Sequence, residues 1–164
     1  MTTKLDLLYF HSAILITFEM NTGQKAKHLA NENAAEAIIY SPHGIVADDL
    51  KSLPTAVPPI RTLALLHGLH GIKLAFTSVL NLGAFNGLRI QRICQAKYWV
   101  GTHDEIKHSG GIVARLLQRK TLSVQDAIER EKQLNSHTCV VGDAGDTASV
   151  RFADLTSGES LLLE

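Results

Sequence analysis

Three short apolar segments each run into a loop that carries histidine. They are Ala37-Ile38-Ile39-Tyr40 before Ser41-Pro42-His43-Gly44, Thr62-Leu63-Ala64-Leu65-Leu66 before His67-Gly68, and Lys97-Tyr98-Trp99-Val100 before Gly101-Thr102-His103-Asp104-Glu105. A buried strand supplies rigidity, and the loop beyond its carboxyl end supplies access, which is where α/β folds build their sites. Neutral imidazole together with carboxylate suits zinc or another borderline metal. His43, His67 and His103 are therefore the candidate metal ligands. Asp104 and Glu105 stand at the same kind of position, and Asp104 is the candidate catalytic carboxylate. The chain has 8 histidines, widely spaced, so spacing alone does not separate a metal site from histidines that serve the backbone.

Other histidines have plainer readings. His67-Gly68-Leu69-His70-Gly71 reads as a turn whose glycines supply positive φ and whose histidines hydrogen-bond backbone carbonyls. His11 falls in an apolar stretch and reads as a satisfied core residue. His28, His108 and His137 sit among polar residues and face solvent. There is no GxGxxG after a strand, no phosphate-binding P-loop and no GxSxG elbow. Gly142-Asp143-Ala144-Gly145-Asp146 lacks the terminal Glu of a calcium loop and reads as a surface turn. Ser109-Gly110-Gly111 reads as a turn before a helix.

The elements that would position these residues alternate. Leu7 to Phe18 reads as one or two buried strands, followed by a turn at Asn21-Thr22-Gly23. Gln24 to Glu36 is polar and Ala-rich, a short helix or an insertion. The three histidine-terminated strands come next, with a short helix near Ile45 to Leu53 and a stiff connection at Pro54, Pro58 and Pro59. Helices are expected over Asn86 to Ala96 and Ile112 to Gln118. A better one is capped by Ser123, with Asp126 completing a loose capping box. Thr138 to Val141 is a further strand, and Val150 to Phe152 and Ser160 to Leu163 are edge strands. This order is that of an α/β chain with one domain spanning 1–164.

Composition sets the class. At 164 residues, 45% hydrophobic and 20% charged, the chain can bury a core and is not of the disordered type. Sixteen basic residues balance 16 acidic ones, so there is no bulk field for a nucleic-acid or anionic membrane partner. Lys107, Arg115, Arg119 and Lys120 read as a solvated helix face. Cys94 and Cys139 are too few for a disulfide scaffold and read as small buried residues. No run approaches the roughly 18 apolar residues of a membrane span, and Met1 to Leu15 does not resemble a signal peptide. The expected location is cytoplasmic.

The segments around His43, His67 and His103 together resemble the later, C-terminal part of a metallo-beta-lactamase-fold domain, closest to an uncharacterised fungal-type branch, over roughly residues 7 to 120. The resemblance implies a partial αββα sandwich, a family chemistry of zinc-activated water, and a metal-ligand histidine at His103. It places His43 where the family has a bridging aspartate. The family's HxHxDH signature does not occur in this chain. The expectation that follows is a non-catalytic or truncated member of the fold, with an incomplete domain, self-association or a missing N-terminal half as partner, and an unknown small-molecule substrate. The alternative is a metal-dependent hydrolase with zinc as cofactor. A surviving half-site requires His43 and His103 to lie within about 5 Å of each other, the reach of ligands that share one ion.

Overall fold

In the computed structural model of the chain, residues 11–18, 35–75, 78–105, 110–137, 151–155 and 158–163 are described. They form a mixed α/β fold with two sheets. The larger sheet contains β1 (Ile14–Phe18), β2 (Ala35–Ser41), β3 (Ile60–His67), β6 (Tyr98–Gly101) and β8 (Arg151–Ala153), in the order β1-β2-β3-β6-β8. β1 runs antiparallel to β2, and all later pairings are parallel. The smaller, antiparallel sheet has the order β5-β4-β7, from β4 (Gly71–Leu74), β5 (Ser78–Leu82) and β7 (Leu117–Lys120). The helices are α1 (Gly83–Cys94), α2 (Gly111–Leu116) and α3 (Val124–His137).

β3 sits at the centre of the larger sheet, where a parallel strand is covered on both faces, and it reads as a near-continuous apolar run. Thr62, Leu63, Ala64, Leu65 and His67 are all buried. α1 packs beside it and divides the core. Its Ile90 and Cys94 join Ile39, Ala47, Leu65 and Ala96 in one cluster. Its Ala84 and Leu88 join Leu69, Trp99 and Ala127 of α3 in another. Arg92 of α1 pairs with Glu131 of α3 at the outer seam.

Register decides where chemistry can occur. Ser41 of β2 pairs with His67 of β3, and His67 pairs with Gly101 of β6. Three parallel strands thus end in line, and the loops that follow them open side by side.

The three histidine-terminated segments are neighbouring strands. The Ser123 cap is also present and reciprocal: Ser123 N–H and its hydroxyl donate to Asp126 Oδ2, and Asp126 N–H donates to Ser123 Oγ. The backbone and hydroxyl donors hold the Asp126 carboxyl below its ordinary range.

Other expectations are corrected. The strand at Ile14–Phe18 is exposed along its whole length, as the outermost of its sheet. His11 lies outside it and is half-buried, its ring nitrogens 3.2 Å from the Gly44 carbonyl and 3.0 Å from the Val79 carbonyl. Ala35 and Glu36 belong to β2, so the polar stretch before it gives way to strand earlier than its composition suggests. Two 3-10 turns, Ala47–Leu50 and Leu53–Thr55, replace the helix near Ile45 to Leu53, because Pro54 follows too closely for longer helix. Leu117 and Gln118 leave the expected helix and, with Arg119 and Lys120, pair with β4. No strand forms at 160–163. Asn21-Thr22-Gly23, Thr138 to Val141, Cys139 and the Gly142–Asp146 turn lie outside the described residues. His28 and His108 do too, and the His137 side chain is not described. Among the described residues no helix is long and apolar enough to cross a membrane.

Candidate functional site

The loops after β2 and β6 bring His43 and His103 together. Their rings meet edge to face, with centroids 4.8 Å apart. His43 Nδ1–H donates to Asn81 Oδ1 of β5 at 2.7 Å, which fixes that ring against the smaller sheet. His103 is reached by a backbone at φ 61°, a left-handed conformation that residues with a Cβ rarely adopt. The ring is about one third exposed, and its Nδ1 lies 4.0 Å from Glu105 Oε2.

Asp104, the next residue, turns the other way. Its Oδ1 and Oδ2 accept the Leu69 N–H at 2.9 and 2.7 Å, and Oδ1 accepts the His70 N–H at 2.7 Å. The carboxylate thereby ties the loop after β3 to the loop after β6. Gly68 is needed in this seam for space, because a Cβ there would lie 2.8 Å from the Pro42 carbonyl oxygen and 3.1 Å from that of Thr102. The expectation that Gly68 and Gly71 supply positive φ is not met. The residues with positive φ include Gly44, Gly83 and His103, but neither of these two.

His67 is at the same strand end but is fully buried. Its Nδ1–H donates to the Gly68 carbonyl at 2.7 Å, and Asn86 Nδ2 stands 3.4 Å from its Nε2 while donating to the Ile45 carbonyl at 2.7 Å. Burial pushes its pKa down to about 4; the Gly68 carbonyl and the Asp104 charge oppose that shift without cancelling it. A neutral imidazole with a proton on Nδ1 satisfies all of these contacts. His70, one loop residue further, is buried, with Nδ1 3.8 Å from Asp104 Oδ1, too far for a hydrogen bond.

The four candidate residues therefore divide. His43 and His103 meet ring to ring, Asp104 clamps two loops, and His67 stands in the core. Among the described residues no three His, Cys, Asp or Glu side chains form a group able to hold a metal ion. Cys94 is a buried free thiol whose pKa burial pushes up to about 11, which makes it inert at neutral pH.

Asn81 and Asn86 position the histidines and were not anticipated from sequence. Asn81 lies on a strand whose short, half-polar pattern gave no signal. Asn86 is one helical turn's first polar residue after Gly83 and was visible only as a helix-terminal amide. Comparisons with protein-family models, with curated proteins and with solved structures find no match to this chain.

Proposed function

We propose that the chain is a non-catalytic or truncated member of the metallo-beta-lactamase-like fold, its αββα sandwich represented in part, with His43 and His103 as an incomplete metal-binding pair. The observation that carries this reading is the 4.8 Å approach of the two rings at the ends of parallel strands. The strand-end loops and the resemblance around His103 support it, within a mixed α/β fold of two sheets. A catalytic zinc centre takes three protein ligands and a water. Two imidazoles with Asp104 committed to backbone N–H groups do not fit that requirement by themselves, so no hydrolytic step follows from these residues.

The test is metal analysis of the purified chain after dialysis against a mild chelator, beside a His103→Ala variant. No retained zinc in either protein is expected, because open positions filled by water leave an ion exchangeable. One zinc per chain in the parent, lost in the variant, would defeat this reading in favour of a zinc-dependent hydrolase.

A further inference from the structure

We propose that the cleft on the smaller sheet is a binding site for a phosphate-bearing small molecule. It has a volume of about 530 Å³, inside the roughly 300–1,000 Å³ range of ligand sites. Lys73, Gln118 and Lys120 share one face of the sheet, because Lys73 pairs with Gln118 and side chains alternate along β7. Arg130 reaches the same cleft from α3. No carboxylate lines it among the described residues.

The arrangement concentrates like charge in a chain whose formal net charge is 0. Lys73, Lys120 and Arg130 form no ion pair among the described residues. Phe85 holds two of them in place without neutralising them: Lys120 Nζ lies 5.7 Å and the Arg130 guanidinium carbon 5.1 Å from its ring centroid. Arg119 also lines the cleft, but its guanidinium donates to the Glu105 carbonyl at 2.8 Å. Three cations lining one cleft, from a strand pair and a helix, exceed what a single carboxylate requires. They match the two or more negative oxygens of a phosphate ester or diphosphate, with the guanidinium suited to paired oxygens and the ammonium groups acting as point charges. The limited volume of the cleft and the absence of net positive charge favour a small ligand over a polyanion such as RNA.

This proposal is independent of the histidine pair. The full chain is titrated calorimetrically with pyrophosphate, with AMP and with a single-stranded oligonucleotide. Lys73→Glu, Arg130→Glu and His103→Ala variants follow, each checked for fold by circular dichroism. The expected result is saturable binding of pyrophosphate or AMP at one site, weakened about tenfold or more by either charge reversal and unchanged in His103→Ala. Tighter binding of AMP than of pyrophosphate assigns a role to the Phe85 side of the cleft; the reverse assigns the affinity to the phosphates alone, and both support the site. Absence of saturable binding, affinity indifferent to both charge reversals, or binding of the oligonucleotide alone would overturn it. Lys73 and Arg130 are exposed, so either reversal can be read if the other fails to fold.

Discussion

Trp99 and His67 are locked together inside the sheet. The indole N–H donates to the His67 carbonyl at 3.2 Å, and the two rings stand edge to face with centroids 6.1 Å apart. Both side chains are fully buried. The imidazole is therefore held neutral by its surroundings, and protonating it requires opening the core around the chain's one tryptophan.

This makes stability depend on pH with a definite sign. His67 has a folded pKa of about 4 against an ordinary 6.5. The unfolded chain binds the proton first as pH falls, so this group's contribution is complete above pH 6.5 and is lost between pH 6.5 and about 4. The loss is at most about 3 kcal/mol. Urea unfolding followed by Trp99 emission across that window should show stability falling with decreasing pH, with a flatter profile in His67→Gln. An equal slope in the two proteins would remove His67 as its source.

The strands that lead to His43, His67 and His103 were legible because parallel, doubly covered strands leave continuous apolar runs in sequence. The β4–β5 pair was not, since Lys73, Ser78 and Asn81 interrupt segments of only 4 and 5 residues. Leu117-Gln118-Arg119-Lys120 favours helix by intrinsic propensity, and pairing with β4 overrides it. The same override turned an expected solvated helix face into one wall of the cationic cleft. Histidine type and strand-end position singled out His43 and His103, and the fold brings their rings within 4.8 Å of each other. The separate fate of His67 depends on how closely α1 approaches β3 and β6, which no local pattern encodes.

Gly87 is what permits that approach. A Cβ on it would strike the Trp99 ring and stand 2.9 Å from His67 Nδ1. Both rings are fully buried. Gly87→Ala is expected to destabilise the fold by about 3 kcal/mol despite the better helix propensity of alanine, since overpacking typically costs about 1–3 kcal/mol. A chemical-denaturation midpoint at or above that of the parent would show that α1 can shift outward freely.

Asp104 should behave first as a structural residue. Its removal in Asp104→Ala leaves the Leu69 and His70 N–H groups without their acceptor, an expected cost of about 2–4 kcal/mol. Asp104→Asn keeps one acceptor oxygen and should recover part of that loss. Hydrogen exchange at Leu69 and His70 reads the effect directly: both amides should exchange faster in the alanine variant. Unchanged protection would mean that the loop after β3 is held by other contacts.

His103 offers a way to separate backbone strain from side-chain function. Its φ of 61° costs a residue with a Cβ about 1–2 kcal/mol relative to the right-handed region, whereas glycine adopts it freely. The ring touches His43 but remains one third exposed, so its burial contributes little stability. His103→Gly should therefore equal or exceed the parent in stability, while His103→Ala keeps the strained backbone, loses the ring contact and falls below His103→Gly by about 1 kcal/mol. Strain retained at a loop tip that meets a second histidine is what the role proposed for His103 requires. Equilibrium unfolding of the three proteins at pH 7.5, above the His67 window, provides the comparison. If His103→Gly proves the least stable, the His43–His103 contact is itself a stabilising element, and the strain argument for a functional role at this position fails.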